Sequence, residues 1–396
     1  MFKGFIGSLI AAIVLFAAGG ITVALYGTNP WQSTHAIEEL EWNDGGYGAV
    51  DETFTGERKW YFGRLEGVRH ISVNSSSAKT YIAPSSDETL TVYAQSNEWK
   101  KLTVRATYSG GVLDITVDGS EFGNFIFNAG NSGTVMITVP DMIYDSLSLQ
   151  VGSGTLSARG IAAELNDFDV GSGTFEYEQK QGFSAELIQL DMGSGSSKIA
   201  NAACDTYNIL MGSGSFNISG LTGSGRVDIG SGSGTAEFFE VNGGNLFDLG
   251  SGKLSVYIPG NTRADLFTQI GSGIVTVDCC GVSERITGDQ QIALNGGSGS
   301  EVVSITADLG SGKVELLDAS KYQKPDMFSV FPIEEAVEDG FGIVSGVTIT
   351  DADGYNSGAE YIGSVATIVP QDDVDLWFIT GDTALCEQYT AYDFIL

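Results

Sequence analysis

The sequence has few of the residues from which most catalytic and metal sites are built. Its 396 residues include only two histidines, His35 and His70, which leaves little material for acid–base chemistry or metal ligation. The four cysteines contain no Cys-x-x-Cys pair, so neither a zinc site nor a thioredoxin-type site is supported. Buried thiols are the favoured interpretation of these cysteines, although export would permit a disulfide. Proline is scarce at seven residues, which excludes collagen and proline-rich linkers.

Positive charge is also scarce. Lys and Arg number 19 against 50 Asp and Glu, for a formal net charge of −31. A surface this acidic repels nucleic acid and anionic lipid headgroups. The composition therefore argues against nucleic acid as a partner. It is compatible with cations or basic proteins as partners, and also with an acidic surface that is simply solvated.

Glycine, in contrast, is abundant, and much of it belongs to a repeated Gly-Ser-Gly tripeptide. The 54 glycines are about twice the average share of roughly 7%. The tripeptide begins at Gly152, Gly171, Gly193, Gly212, Gly230, Gly250, Gly271, Gly297 and Gly310, with an extra copy at Gly223. The regular copies recur every 18–22 residues, and the last two intervals are 26 and 13. A period near 20 is typical of one coil of a solenoid.

The residues around each tripeptide alternate between apolar and polar, as in half-buried strands. The nearest apolar residues on its two sides are five apart, as in Val151 and Leu156. Side chains of a straight strand alternate between its two faces, so an odd step would move every later apolar residue to the opposite face. To keep these residues on the inside, the tripeptide must form a corner. We attribute the corner to the positive φ that glycine tolerates. The copy at Gly230 reads GSGSG and separates Ile229 from Ala236 by seven, which we interpret as an insertion.

These patterns predict an all-β protein: a right-handed parallel β-solenoid (β-helix) of about 20-residue Gly-Ser-Gly coils. Coils should stack at about 4.8 Å, with the corner serines forming a ladder. The alternative interpretation, a flexible Gly/Ser linker, is disfavoured because a linker would lack the alternating apolar residues on both sides of each tripeptide.

Residues 5–26 predict one N-terminal transmembrane helix in front of the solenoid. This apolar run would span about 33 Å as a helix, enough for a hydrocarbon core of roughly 30 Å. Lys3 precedes the run and acidic residues follow it, so the positive-inside rule places the N-terminus in the cytoplasm and the body outside. A cleaved signal peptide is the alternative, but its apolar region is normally shorter, at about 7–15 residues.

The chain therefore divides into four predicted parts. Residues 1–27 are the membrane anchor and 28–53 a tether. Residues 54–324 form the β-solenoid, and 325–396 a C-terminal cap or small β-module, because a solenoid needs cover on its open end.

Two passages strengthen this interpretation by resemblance. They read ISVNSSSAKTYIAPSSDETLTVYA and VMITVPDMIYDSLSLQVGSGTLSARGI, and the run of Gly-Ser-Gly coils follows them. Together they resemble the DUF4097 family of bacterial candidate adhesins, related to head-GIN-domain proteins. The resemblance covers roughly residues 60–320. It implies a β-solenoid, often with an N-terminal membrane segment, and a role in adhesion or envelope stress. Relatives often carry Asp directly after the second glycine, where this chain has Thr155 and Thr174, so any role of that Asp is not carried over.

A search for chemistry yields no catalytic, cofactor-binding or metal-binding residue. Gly252-Lys253 and Gly312-Lys313 lack the rest of a phosphate-binding loop, and no G-x-S-x-G motif occurs. The segment from Asp351 resembles an EF-hand loop, but its sixth position is Asn356 and its twelfth Ile362, so a hairpin turn is favoured over calcium.

One polar row does follow from the repeat. It occupies the position two residues before each tripeptide: Gln150, Asp169, Asp191, Leu210, Asp228, Asp248, Gln269 and Asp308. Asp169 with Asp191, and Asp228 with Asp248, should be neighbours about 5 Å apart. Each pair would repel by roughly 1 kcal/mol in water. A divalent cation such as Ca²⁺ could relieve this repulsion, but an ordinary solvated face is favoured.

Three functions are compatible with the sequence. The first is a non-enzymatic, membrane-anchored envelope protein that presents an extracytoplasmic solenoid to a protein or polysaccharide. The second is an envelope-stress sensor, which would need another membrane protein because only four residues precede the anchor. The third is a β-helix polysaccharide-active enzyme, and the scattered arginines disfavour it.

Overall fold

The computed structural model describes the following residues: 38–39, 48–64, 67–85, 89–96, 100–121, 133–297, 302–323, and strand segments 333–337, 340–344, 376–379 and 386–389. The predicted transmembrane helix and most of the predicted tether and C-terminal module lie outside them. Within the described part, no helix is long and apolar enough to cross a bilayer.

The described chain is almost entirely β-structure, as predicted. The first strands are β1 (Glu38–Glu39), β2 (Gly48–Phe54), β3 (Glu57–Arg64), β4 (His70–Ser75), β5 (Lys79–Ser85), β6 (Thr89–Ser96), β7 (Lys100–Ser109), β8 (Val112–Glu121) and β9 (Gly133–Pro140). The central strands are β10 (Ile143–Val151), β11 (Thr155–Val170), β12 (Thr174–Gln179), β13 (Ala185–Met192), β14 (Ser196–Ala200), β15 (Cys204–Met211), β16 (Ser215–Leu221), β17 (Ser224–Ile229), β18 (Ser233–Phe238), β19 (Gly244–Leu249) and β20 (Lys253–Ile258). The last are β21 (Arg263–Ile270), β22 (Ile274–Cys279), β23 (Val282–Ile286), β24 (Gln290–Asn295), β25 (Val303–Leu309), β26 (Lys313–Asp318), β27 (Ile333–Val337), β28 (Gly340–Val344), β29 (Leu376–Ile379) and β30 (Cys386–Tyr389), with one 3-10 turn at Ala319–Lys321.

Strands β1 to β26 form one large, mostly parallel sheet with two ladders. Each regular coil gives one strand to a pre-corner ladder, turns at Gly-Ser-Gly, and gives the next strand to a post-corner ladder. Strand β11 belongs to both ladders and bends at Gly160, where φ is +70°. The solenoid-like stacking of parallel coils that the period predicts is therefore confirmed; its handedness stays a prediction.

Chain order and spatial order differ at both ends of the stack. Strand β25 lies between β19 and β21, and β26 lies between β20 and β22. The coil with the Gly310 corner is thus inserted between the Gly250 and Gly271 coils, which explains the irregular last intervals. The copy at Gly297 falls in the connection between β24 and β25. At the other end, β4 is inserted between β8 and β10 in the same way.

Antiparallel strands cover both ends of this stack. Strands β6 and β7 pair antiparallel with β9 and β8, and β23 and β24 with β22 and β21. Strands that cover the ends of a stack in this way protect the sheet from pairing with the strands of another molecule. The predicted cap at 325–396 is seen only as two hairpins, β27–β28 and β29–β30, and its role as a cap stays a prediction.

The corners are confirmed, but our explanation of their glycines was wrong. Val151 and Leu156 are both buried, as the odd step requires. None of the described corner glycines has a positive φ. A Cβ on Gly154 would instead lie 2.2 Å from the Ala78 carbonyl oxygen, and one on Gly173 would lie 2.5 Å from that of Gly154. Glycine is required because successive coils bring their backbones too close for any side chain.

The core alternates large and small residues at the first inward position after the corner. Phe175, Ser197 and Phe216 occupy this position in successive coils. Next comes Gly234, five residues after Ile229, so the GSGSG copy is no insertion. A Cβ on Gly234 would lie 2.3 Å from Cζ of Phe216, whose ring fills the vacant space. The hydroxyl of Ser197 is buried without a hydrogen-bond partner.

Candidate functional site

The polar row before the corners lies on the outer face of the pre-corner ladder. The predicted neighbours are confirmed: Asp169 is in register with Asp191, and Asp228 with Asp248. The exchange of coils adds a contact that the sequence did not reveal, because Asp308 is in register with Asp248.

The two aspartate pairs differ in their electrostatics. Arg226 places Nη2 2.7 Å from Oδ2 of Asp228 and 2.9 Å from Oδ2 of Asp248, so a guanidinium already bridges that pair. No described basic side chain forms an ion pair with Asp169 or Asp191. The ion pair of Arg226 was not predicted, although Arg226 precedes Asp228 by two residues and therefore shares its face of the strand.

A metal site at this row gains no support from its neighbours. Ca²⁺ takes six to eight oxygen ligands. Among the described residues, no group of three or more His, Cys, Asp or Glu is placed to hold an ion. The EF-hand-like loop from Asp351 to Ile362 lies outside the described residues. The solvated face stays the prediction for this row; binding of Ca²⁺ at either aspartate pair would instead raise the melting temperature beyond the effect of NaCl at matched ionic strength.

Asp191→Asn and Asp248→Asn should have opposite effects at low salt. The first removes a repulsion and should raise the free energy of unfolding by about 0.5 kcal/mol. The second removes a partner of Arg226 and should leave stability unchanged or slightly lower. Urea unfolding at low and at high NaCl measures both, and the difference should disappear at high salt. Equal shifts for the two variants at low salt would contradict the assignment of Arg226 as the bridging cation.

The outer face of the post-corner ladder is crossed by ion pairs and by a strap. Glu315 accepts from Nζ of Lys253 at 2.9 Å, and also from Lys313 and Ser255. Partial burial alone would raise the pKa of Glu315, but these hydrogen bonds lower it to about 2. The strap consists of residues 319–322, which follow β26, and it ends at Tyr322.

Tyr322 folds back over the same face. Its ring centroid lies 5.1 Å from that of Tyr257, and its hydroxyl donates to Oδ1 of Asn217 at 2.7 Å. Burial raises the pKa of Tyr322 to about 12, so the hydroxyl stays protonated at neutral pH. These side chains hold structure together and leave no free acid–base pair at this position.

The cysteines are buried thiols where the structure describes their side chains, as predicted. Cys204, Cys279 and Cys280 are free and buried. Burial raises the pKa of Cys204 to about 12, which makes it a poor nucleophile. Cys280 takes φ +51° in the tight turn between β22 and β23. The side chain of Cys386 lies outside the described part.

The corner serines form the predicted exposed ladder. The amide of Ser172 donates to the carbonyl of Gly152, and that of Ser194 to the carbonyl of Gly171, and this pattern continues along the stack. The row beside it carries Ser and Thr from Thr155 to Ser233 and then Lys253 and Lys313. Oγ of Ser215 lies 3.4 Å from Oγ of Ser196.

One groove of about 460 Å³ opens beside the inserted coil. Its walls are the connections 239–243 and 259–262, together with Arg263 and Val303 at the starts of β21 and β25. Phe239 lies at its rim with 75% of its surface exposed. No sequence pattern indicates this groove, because it results from the exchange of coils.

Comparison with solved structures finds proteins of low identity. A candidate cell adhesion protein from Clostridium sporogenes is 13% identical over 68% of this chain and all of its own, with a TM-score of 0.22. A candidate lipid binding protein from Parabacteroides distasonis is 14% identical over 71% of this chain and all of its own, with a TM-score of 0.33. A candidate adhesin from Bacteroides fragilis is 10% identical over 70% of this chain and all of its own, with a TM-score of 0.25.

Comparison of sequences is more decisive. No curated protein matches the chain significantly. Residues 68–316, from just before β4 into β26, match the Toastrack DUF4097 family. This region holds every Gly-Ser-Gly corner and both exchanged coils, and it spans well over half of the chain. The protein therefore belongs to the Toastrack DUF4097 family.

Proposed function

We propose that this chain is a non-enzymatic cell-envelope protein, anchored in the membrane by residues 5–26, with its N-terminus in the cytoplasm. Its right-handed solenoid projects outside the membrane and binds a protein or polysaccharide of the envelope. The observation that carries this proposal is the stack itself, in which a long surface repeats from coil to coil. Repeat proteins use such extended surfaces to bind partners.

The described side chains support binding more than catalysis. Two arginines of the solenoid form ion pairs with carboxylates: Arg159 with Glu178 at 3.0 Å, and Arg226 with Asp228 and Asp248. The described thiols are buried. A polysaccharide-active enzyme would need clustered acids with a basic residue free to take a proton.

Protease accessibility tests the predicted topology. Proteinase K added to intact cells, after removal of any wall, is expected to digest the body and spare a cytoplasmic control protein. The physical reason is the charge asymmetry around residues 5–26. Full protection of the body, in cells where another surface protein is digested, would overturn the extracytoplasmic location.

Binding to the envelope tests the proposed role. The full chain in detergent should bind purified cell walls saturably, and binding should survive moderate salt if the uncharged serine ladder, and not the aspartate row beside it, makes the contact. Absence of saturable binding would remove the support for adhesion.

A further inference from the structure

The groove beside the inserted coil exists for a topological reason. In the regular stack, each connection from the post-corner ladder runs to the next coil. The connection 259–262 instead passes the inserted coil to reach β21, two strand spacings or roughly 10 Å along the stack. A gap remains between this connection and 239–243, and β25 enters beside it.

The walls of the groove are fixed by the backbone. The amides of Phe239 and Glu240 both donate to the carbonyl of Leu221, and the amide of Thr262 donates to that of Pro259. Val241 is 8% exposed and anchors the first wall in the core. Phe239 is held in place by its backbone while its ring projects into solvent.

The chemistry of the lining is mixed. Phe239, Pro259 and Val303 are apolar, and the amides of Asn242 and Asn261 stand beside them. The amide of Asn242 is oriented, because Nδ2 donates to the Thr222 carbonyl at 2.7 Å. A groove with an apolar platform and a few placed polar groups is typical of small-ligand sites.

The charges of the lining select among ligand classes. Glu240 and Arg263 are the charged residues of the lining, so it carries no net charge. A phosphate or an acidic polymer would need an excess of positive charge. An acyl chain would use the apolar residues of the lining but would make no hydrogen bond to Asn242, Asn261 or the charged pair. A neutral sugar satisfies both requirements, because the C–H face of a pyranose packs on an aromatic ring while its hydroxyls bond to amides and to charged groups.

We propose that this groove binds a neutral hexose unit of an envelope polysaccharide, with the ring of Phe239 as the platform. This inference rests on the proposed function and identifies its ligand class. It predicts that the groove, and not the repeating outer face, determines which polymer is held.

Calorimetric titration of the full chain in detergent with maltohexaose, cellohexaose and laminarihexaose, three neutral glucose oligomers, tests the proposal. At least one oligosaccharide should bind the native chain, and Phe239→Ala should weaken that binding at least tenfold. The matched control is Phe267→Ala, which removes a second exposed ring, 38% exposed, outside the groove lining. It should leave binding unchanged. Both variants remove exposed rings, and equal melting temperatures will show that each stays folded.

Two results would overturn the inference. One is that none of the three oligosaccharides binds the native chain; the other is that Phe239→Ala binds as tightly as the native chain. The cell-wall binding experiment separates this failure from failure of the proposed function. Walls bound equally by the native chain and by Phe239→Ala would leave adhesion standing and exclude the groove. Oligosaccharide binding that depends on Phe239, without wall binding, would support the groove and remove the adhesive role.

Discussion

Gly173→Val is expected to lower the free energy of unfolding by about 3 kcal/mol, at the upper end of typical overpacking effects. The added Cβ would meet the Gly154 carbonyl oxygen at 2.5 Å, a backbone atom held by the coil below. Gly171→Val should have a smaller effect, because its Cβ would meet the Gly152 oxygen at 3.0 Å. Thr174→Val changes an exposed residue and should have almost no effect.

The order of the three urea midpoints is the measurement. It should fall from Thr174→Val through Gly171→Val to Gly173→Val. A positive φ at the first glycine would instead make Gly171→Val the most damaging change. Similar midpoints for Gly173→Val and Thr174→Val would show that the coils are not in backbone contact at the corner.

Phe216 and Gly234 fill one space in the core from adjacent coils, so changing both should cost less stability than the two single changes added together. Phe216→Ala should lower the free energy of unfolding by about 3–5 kcal/mol through loss of a buried ring. Gly234→Leu should lower it by about 1–3 kcal/mol, because the new side chain collides with Phe216. The double variant should lose less than the sum of the two, with a coupling of about 1 kcal/mol or more.

A second double variant supplies the control for this cycle. Phe168 packs with Phe175 and Tyr177, at centroid distances of 4.8 and 4.7 Å, several coils away from Gly234. Phe168→Ala combined with Gly234→Leu should therefore be additive within a few tenths of a kcal/mol. Additivity in both pairs would mean that Phe216 and Gly234 do not share one space in the core.

Much of this fold can be predicted from the sequence because its signals are local. Alternation around each tripeptide sets the strands, and the odd step from Val151 to Leu156 sets the corner. The fixed period then sets the register, which is why Asp169 could be placed beside Asp191. The exchanged coils could not be predicted, since pairing of β25 with β19 joins strands separated by a complete coil and a hairpin. No local pattern encodes such a choice.

In the candidate site, too, features that depend on local spacing can be predicted from the sequence, and features that depend on the order of the coils cannot. Arg226 lies two residues from Asp228, so the sequence contained the information for its ion pair with both aspartates. The groove at Phe239 depends on which coil enters between two others, and Phe239 itself looks like an ordinary strand residue next to Phe238. The glycine at 234 was misinterpreted for a related reason: its partner ring belongs to another coil.

The inserted coil also determines how the molecule should respond to mechanical load. Tension applied to the chain beyond Tyr322 reaches β26 first, and β26 is hydrogen-bonded to β20 on one side and to β22 on the other. A strand at a free end can peel away by breaking one row of bonds, whereas β26 must break two rows. The N-terminal side differs, because the first long strand there, β2, pairs only with β7 among the described strands. The stack should therefore resist extraction by tension on its C-terminal side more strongly than by tension on its N-terminal side.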